Sequence, residues 1–407
     1  MKPVVLLLLV MVLAGCESIG QVTYDEVVTT PVVLNGIDVL ERDGFELLEG
    51  QRVAIVTNHT GLNRAGEHIV TLLNEAPNVD VMKLFSPEHG LYGELDEKVD
   101  HGVDPDTGLR VYSLYGETRI PTANMLEGVD TLVFDIQDIG TRFYTYISTM
   151  GLCMEAAKEH GVRVVVLDRV NPINGVDVSG PIADERHQGF TAYGPIPLRH
   201  GMTAGELAKL FNTEYGIGCD LTVVPVEGWR REMWFDETGQ MWTNPSPNMR
   251  NLTQATLYAG IGLLESGRMI SVGRGTDQPF EYFGAPFIDG VALAAALNER
   301  RIPGLRFVPM RFTPTVRHYK DQVCGGVYVM VMDREALEPV SAGMTIAWEI
   351  ERLFPEAYDL DSVRRMIQDD AAMDELMTTV DPETIPGVWQ AELAAFLPVR
   401  ERYLMYR

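Results

Sequence analysis

Residues 79–93 read VDVMKLFSPEHGLYG, and the interpretation of the whole chain starts from them. The apolar, partly β-branched run over residues 79–85 predicts a buried strand. Pro87 ends that strand, since proline lacks a backbone donor and favours an extended residue before it. Glu88 and His89 follow directly, at the carboxyl end of the strand. Ligands bind at that edge in open α/β sheets, so we predict that Glu88 is the catalytic residue and that His89 supports it.

The chain around this stretch alternates between strands and helices, which predicts a parallel sheet covered on both faces. We therefore predict an α/β domain over residues 35–279. In residues 280–407 the predicted helices and strands follow one another in a different order. This segment predicts a smaller α+β domain. The predicted strands cover residues 52–56, 79–85, 111–115, 131–136, 163–167 and 221–226, and the main predicted helices between them cover 67–76, 145–160 and 203–215.

The composition narrows the classes of partner. The chain has 407 residues with a formal net charge of −25, and 46% of the residues are hydrophobic. Such acidity argues against nucleic acid as a partner, because no basic stripe offsets it. An anionic substrate would need arginines close to its binding site.

The first residues predict a targeting segment. Residues 1–16, MKPVVLLLLVMVLAGC, combine a lysine, a short apolar run and a sequence that resembles a bacterial lipoprotein box. That resemblance implies a lipid on Cys16 and an anchor in a bilayer, with the protein facing the periplasm. An aspartate directly after the lipidated cysteine is the usual signal for retention in the inner membrane. This chain has Glu17 at that position, which favours the outer membrane. A plain secretory signal is the alternative. We predict a tether over residues 17–34, although its apolar end could pack on the body.

No bound cofactor or metal is predicted. The segment SVGRG (271–275) matches neither a dinucleotide-binding nor a P-loop pattern. His59, His89 and Asp135 are conceivable metal ligands, but no HExxH spacing joins them. Without Cys16 three widely spaced cysteines remain, which is no disulfide framework.

Polar side chains follow several of the predicted strands. Because the carboxyl ends of parallel strands meet at one edge of a sheet, these loops should converge on a pocket. One such loop alone would mean little, since strand ends are often polar and solvated. The side chains concerned are Asn58 and His59, Glu88 and His89, Asp135, Asp138 and Arg142, and Asp168, Arg169 and Asn171.

Four arginines stand beside turn residues on these loops and farther along the chain. A guanidinium matches carboxylates and phosphates, but each arginine could instead order a loop by bonding backbone carbonyls. Aromatic side chains could stack on the apolar face of a sugar, although each one singly is more often part of the core. The candidates are Tyr144, Tyr146, Trp229, Trp234 and Trp242. The four arginines are Arg142, Arg169, Arg250 and Arg274.

Five motifs then point to a family. In chain order they are LFSPEHGLYG (84–93), VFDIQDIGTRFYTY (133–146), LDRVNPING (167–175), PSPNMRN (245–251) and SVGRGTDQPFE (271–281). Together they resemble the NamZ-type exo-β-N-acetylmuramidases. The resemblance runs from about Leu34 to the C-terminus. One departure precedes SVGRG, where many members have EGTN and this chain has Glu265 followed by SGRM.

The resemblance implies a Rossmann-like domain, a smaller C-terminal domain and an active-site cleft between them. It also implies the release of N-acetylmuramic acid from the non-reducing end of peptidoglycan fragments, with Glu88 as the catalytic acid. Glycoside cleavage usually needs a second carboxylate, for which Asp135 is preferred to Asp138, unless the acetamido group of the substrate replaces it. The predicted substrate-binding residues are Asn58, His59, Asp138, Arg142, Tyr144, Arg169, Asn171, Asn248, Arg250, Glu265 and Arg274.

Two other functions compete with this one. A non-catalytic lipoprotein that binds muropeptides could use the same cleft. A metal-dependent hydrolase of another bond is the third possibility. The sequence leaves the oligomeric state open.

Overall fold

The computed structural model describes residues 32–93 and 100–407 of the chain. The predicted signal segment, Cys16 and the tether up to residue 31 lie outside these residues. The residues that follow pack on the body of the protein. Val33 is fully buried, and Leu34 exchanges two backbone hydrogen bonds with Glu227.

The central element of the described chain is a seven-stranded sheet in the order β3-β4-β2-β1-β5-β6-β9. All its neighbouring strands pair in parallel except β3, which runs antiparallel to β4 at one edge. The predicted parallel α/β sheet is thus confirmed. The strands of the described residues are β1 (Arg52–Thr57), β2 (Asp80–Ser86), β3 (Gly102–Val103), β4 (Arg110–Ser113), β5 (Thr131–Asp135), β6 (Arg163–Leu167), β7 (Ser179–Ile182), β8 (Pro197–Arg199), β9 (Leu221–Val224), β10 (Tyr282–Ala285), β11 (Leu305–Phe312) and β12 (Cys324–Val331).

The order of the six parallel strands is that of a Rossmann fold. Numbered among themselves along the chain, they lie in the spatial order 3-2-1-4-5-6. The order reverses between β1 and β5, and the loops after these two strands therefore flank a crevice at the carboxyl edge. The loop after β2, which carries Glu88, lies next to that crevice.

Alternating side chains of the sheet enter two different cores, which is why its strands are apolar throughout. Val53 and Ile55 of β1 pack with Ile37 and Leu73 from the helices on one face. Ala54 and its like-facing neighbours belong to the larger core on the other face, and that core extends into the C-terminal part of the chain. One continuous apolar cluster therefore joins the seven-stranded sheet to the C-terminal part of the chain.

The helices cover both faces of this sheet and build the C-terminal part. No helix within the described ranges has the length and apolar content that a bilayer-spanning helix requires. Cys153 is buried on α4, as predicted for a small core residue. The helices are α1 (Gly36–Arg42), α2 (Ile69–Glu75), α3 (Ala123–Leu126), α4 (Tyr146–His160), α5 (Ala204–Glu214), α6 (Leu252–Ile261), α7 (Gly290–Arg300), α8 (Pro339–Leu353), α9 (Arg364–Ile367), α10 (Asp370–Thr378) and α11 (Gln390–Glu401).

The C-terminal part contains the predicted α+β elements. Here β10, β12 and β11 form an antiparallel sheet in that order. The helix α7 packs on β11 and β12, and α8 packs on α6 and α7. The helix α11 was not among the predicted elements; it contains Pro398, a residue type that disfavours a helix interior.

The end of the chain returns to the first sheet. The Tyr406 hydroxyl donates to the carboxylate of Asp168, just beyond β6, and accepts a hydrogen bond from the backbone N–H of Val226. Burial raises the pKa of Asp168 to about 6. The last residues thus close one side of the carboxyl edge of the sheet.

Candidate active site

A tight turn presents Glu88 at the end of β2. The backbone N–H of Gly90 donates to the carbonyl of Pro87 at 3.1 Å. His89 and Gly90 both have a left-handed backbone, with φ of 72° and 77°. Glycine adopts this conformation readily and histidine rarely does, so the turn is strained at His89 and relieved at Gly90. The turn stops the strand sharply and leaves the Glu88 side chain half-buried at the edge of the sheet.

The Glu88 carboxylate is held from two sides. The Thr145 hydroxyl donates to Glu88 Oε2 at 2.6 Å, from the residue that precedes α4. Tyr115 lies on another side of the carboxylate. Its pKa is raised to about 12, first by burial and second by the negative charge of Glu88. These contacts fix the direction of the carboxyl group before a substrate arrives.

Glu88 faces a small enclosed cavity, which we call the inner cavity. Its volume is about 80 Å³. Aromatic rings form much of its wall, with Tyr144 in edge-on contact with both Tyr146 and Tyr258. The residues that line it are Glu88, His89, Phe143, Tyr144, Thr145, Tyr146, Ser246, Met249, Tyr258, Arg274, Phe280 and Arg317.

The hydroxyl groups of this wall differ in their partners. The Tyr146 hydroxyl donates to the carbonyl of Pro245 at 2.7 Å. The Tyr144 hydroxyl is buried and makes no hydrogen bond of ordinary geometry with any described residue, although Ser246 lies close to it. Burial raises the pKa of Tyr144 far above its usual value, so this hydroxyl remains a neutral donor.

The wall of the inner cavity also includes an arginine that is paired with a glutamate. The Arg274 guanidinium forms a two-pronged ion pair with Glu265, and both side chains are largely buried. It also lies over the ring of Phe280, with 5.2 Å to the ring centroid. The structure thus places Glu88, His89, Tyr144 and Arg274 around one cavity, and Glu265 is attached to it through Arg274. Of the side chains that were expected to converge after the strands, Glu88 and His89 line this cavity.

Asp135 does not belong to this cavity. Its carboxylate is fully buried and accepts hydrogen bonds from Arg169 Nε and Nη2 at 2.6 and 2.9 Å. Arg169 also donates to the carbonyl of Leu62 at 3.0 Å. The structure contradicts the prediction that Asp135 is the second catalytic carboxylate, because Arg169 occupies both of its oxygens. Arg169 is the partner of Asp135 in this internal ion pair. It also lines a different cavity, of about 300 Å³.

Arg142 has a structural role as well. Its side chain is completely buried. The guanidinium donates to four backbone carbonyls, those of Pro181, Ile196, Met366 and Ile367, at distances of 2.7–3.3 Å. The prediction that Arg142 binds substrate is therefore wrong, and the alternative, an arginine that orders loops, describes it correctly.

Three further predicted residues shape the loops of the edge. Asn58 is buried, and its side-chain oxygen Oδ1 accepts hydrogen bonds from the backbone N–H and the hydroxyl of Thr60. Asn171 is also buried; its side chain donates to the Met202 carbonyl and accepts from the N–H of Ile173. His59 is half-buried and contacts the carbonyl oxygen of Asn244 through Nε2. The internal bonds of Asn171 contradict substrate binding by that residue. Asn58 Nδ2 makes no hydrogen bond with any described residue, and its predicted role stays a prediction.

Asp138 lies in a buried pair that the sequence did not indicate. Its Oδ2 accepts from the N–H of Gly140 at 2.7 Å and lies 3.5 Å from Nε2 of His200, which is fully buried. Asp138 does not line the inner cavity, nor does it line the cavity of about 360 Å³ that is described next. The prediction that Asp138 contacts the substrate or supplies the second carboxylate is not supported by this position.

Asn248 and Arg250 line a more open cavity of about 360 Å³, which we call the outer cavity. It borders the inner cavity, since Ser246, Arg274 and Arg317 line the inner one and their sequence neighbours line the outer one. The residues that line the outer cavity are Pro247, Asn248, Arg250, Gly275, Thr276, Asp277, Thr315 and Val316.

Sequence reasoning missed several residues around Glu88. Thr145 stood inside the VFDIQDIGTRFYTY motif and carried a signal that went unused. Tyr115 and Tyr258 carried none, because an isolated tyrosine in an apolar segment has the pattern of a core residue. Arg317 is separated from the motifs in sequence and meets them only in the fold.

Possible metal ligands cluster elsewhere. Within the described residues, side-chain oxygens and nitrogens of Asp184, His187 and Asp370 approach one another within 4.8 Å. Arg186 and Arg364 form ion pairs with the same carboxylates, so this group is an ion-pair network at the surface. His59, His89 and Asp135 do not form a common ligand set, since Arg169 takes up the Asp135 carboxylate.

Comparison with known proteins gives consistent matches over nearly the whole chain. Residues 53–253 match the family described as exo-β-N-acetylmuramidase NamZ, N-terminal, and residues 256–406 match its C-terminal counterpart. The chain is 42% identical over 381 residues to the peptidoglycan β-N-acetylmuramidase NamZ of Bacillus subtilis (strain 168), which covers 92% of each protein.

Two solved structures from Bacteroides fragilis NCTC 9343 share the fold. Both are crystal structures of DUF1343 family proteins, and each match covers 92% of this chain and 99% of the other. The first is 34% identical with a TM-score of 0.85, and the second is 28% identical with a TM-score of 0.75.

Proposed function

The chain belongs to the NamZ family of exo-β-N-acetylmuramidases, and on that basis we propose that it is a glycoside hydrolase that releases N-acetylmuramic acid from the non-reducing end of peptidoglycan fragments. One observation carries the proposal: Glu88 lies in an enclosed cavity, oriented by Thr145 and backed by aromatic rings. A small enclosed cavity receives a substituent of a terminal sugar rather than the middle of a chain, which fits exo action.

Glu88 acts as the general acid in this proposal. Cleavage of a glycosidic bond needs a proton on the leaving oxygen, and a positioned carboxyl group supplies it. The hydrogen bond from Thr145 holds Oε2, so the carboxyl group keeps one orientation during proton transfer. After the leaving sugar departs, the Glu88 carboxylate takes a proton from the attacking water and is ready for another cycle.

The reaction also requires stabilisation of the positively charged sugar carbon. Asp135 does not provide it, because its carboxylate is bound to Arg169. In our proposal the acetamido group of the substrate takes the place of a protein nucleophile, an exception that glycoside hydrolysis allows. The aromatic wall around Tyr144 would enclose that group.

The direct test uses the purified chain and a disaccharide of N-acetylmuramic acid linked to N-acetylglucosamine, with products identified by mass spectrometry. We expect the two monosaccharides. Saturable binding of the disaccharide without products would favour the non-catalytic alternative. Loss of turnover in a chelator, restored by a divalent metal, would favour the metal-dependent hydrolase.

Of the four predicted arginines, Arg274 is the one placed to recognise the lactyl carboxylate of muramic acid. It lines the cavity of Glu88, whereas Arg142 is enclosed by carbonyls. We expect Arg274→Lys to reduce kcat/KM for an aryl β-N-acetylmuramide about tenfold to a hundredfold more than for the matching glucosaminide, because an ammonium loses the paired geometry of the guanidinium. Arg186→Lys, at an exposed ion pair, is the control. Equal losses on both substrates would refute recognition of the lactyl group.

The location of the protein is also a proposal. The sequence of residues 1–16 supports export and attachment of lipid to Cys16, in a membrane that borders the periplasm. We expect the full-length protein to incorporate a labelled fatty acid and to sediment with membranes, and Cys16→Ser to do neither. Labelling of the Cys16→Ser variant, or an unlabelled full-length protein, would contradict this anchor.

A further inference from the structure

We infer that the outer cavity binds the sugar on the leaving-group side of the bond that is cleaved, and that Asn248 and Asp277 recognise it. The inference rests on the proposed function, since it assigns the second half of the same substrate. No predicted role covered Asp277.

The position of the outer cavity follows from the chain itself. The segments 246–250, 274–277 and 315–317 each contribute residues to both cavities. Tyr144, Tyr146 and Tyr258 line the inner cavity, which is the more enclosed of the two. Glu88 must lie within hydrogen-bond distance of the glycosidic oxygen to protonate it. The sugar beyond that oxygen therefore extends toward the outer cavity.

The size of the outer cavity fits this assignment. Its volume of about 360 Å³ falls in the range of about 300–1,000 Å³ that is usual for small-molecule sites. The inner cavity, at about 80 Å³, is well below that range and suits a substituent of a sugar better than a complete disaccharide.

The side chains of the outer cavity suit a neutral amino sugar. The Asn248 amide makes no hydrogen bond with any described residue, although only 5% of the residue is exposed. Asp277 is exposed at the wall and supplies a carboxylate that can accept from sugar hydroxyls. Pro247 and Val316 add apolar surface, and a pyranose ring has an apolar face that can lie on it.

The walls of this cavity are held in place before binding. Arg250 donates from Nε to the Pro247 carbonyl and from Nη1 to the Thr276 carbonyl, at 3.2 and 3.1 Å. The Thr315 hydroxyl donates to the Gly275 carbonyl at 2.8 Å. The three segments that form the cavity are thus bonded to one another, which lowers the entropy that binding would otherwise cost. Arg250 is a positioning residue in this arrangement.

The test compares two substrates that differ only after the cleaved bond. One is the disaccharide of N-acetylmuramic acid and N-acetylglucosamine, and the other is an aryl β-N-acetylmuramide without a second sugar. We expect Asn248→Ala and Asp277→Ala each to lower kcat/KM for the disaccharide about tenfold more than for the aryl glycoside, the loss of roughly one hydrogen bond. Asp220→Ala, an exposed aspartate away from both cavities, should change neither.

The outcomes separate the subsite from the function. Equal losses on both substrates, or no loss on either, would overturn the assignment of the outer cavity while the activity of the wild-type protein stands. If the wild-type protein cleaves neither substrate, the proposed function fails and the subsite with it. Thermal unfolding of each variant identifies a misfolded protein, and in that case Asn248→Ser and Asp277→Asn replace the alanine variants.

Discussion

Glu88→Gln is expected to reduce kcat on a disaccharide of N-acetylmuramic acid and N-acetylglucosamine by about a thousandfold, the usual size of a lost general acid. Glutamine keeps the size of the side chain and can still accept the hydrogen bond from Thr145. It has no proton to give to the leaving oxygen. The fold should therefore remain, and the measurement is steady-state kinetics beside thermal unfolding of both proteins.

The choice of leaving group makes this prediction specific. An aryl glycoside with an acidic phenol needs little protonation as its bond breaks, so the Glu88→Gln variant should lose much less activity on it than on the disaccharide. An equal loss on both substrates would point to a role in binding or folding. Glu75→Gln, at an exposed position near the end of α2, is the matched control, and wild-type turnover by Glu88→Gln would remove Glu88 from the mechanism.

Arg142→Met is expected to lower the free energy of unfolding by about 3–5 kcal/mol, because several buried carbonyls lose a charged donor at about 1–3 kcal/mol each. The guanidinium bonds four carbonyls from three separate segments of the chain. Methionine fills similar space but donates no hydrogen bond, so these buried carbonyls lose their partners. The protein should also denature at a lower concentration of urea.

Two controls distinguish this structural role from substrate recognition. Arg186→Met removes an arginine whose side chain is 71% exposed, and it should cost less than about 1 kcal/mol. The folded fraction of Arg142→Met should keep the wild-type preference for muramides over glucosaminides. A stable Arg142→Met protein that loses this preference would restore the original prediction of a substrate-binding arginine.

Local sequence located Glu88 at the edge of the sheet. Residues 79–85 form a strand by their apolar, β-branched pattern, and Pro87 and Gly90 stop and turn the chain by their own backbone chemistry. These are properties of neighbouring residues, so a sequence displays them directly. The same reasoning predicted the parallel sheet, and with it the edge at which Glu88 lies.

The roles of the other charged residues could not be obtained in this way. Asp135 and Arg169 both follow strand ends, which predicts a common edge but not that they bind each other. Arg142 sits in a motif that points to the site, yet its partners come from residues 181, 196, 366 and 367. Whether a guanidinium meets a substrate or a carbonyl depends on segments that are distant in the chain.

What the sequence determined by itself is the sheet, the turn that exposes Glu88 and the family to which the chain belongs. These follow from short-range patterns of apolar residues, proline and glycine, and from motifs that stay contiguous. The tertiary structure decided which polar groups remain for a substrate, since burial and long-range pairing bind Asp135 and Arg142 inside the protein and bring Tyr115, Tyr258 and Arg274 to Glu88. A side chain becomes part of a site only when the fold directs some of its polar atoms into a cavity. No local sequence pattern shows which side chains meet this condition.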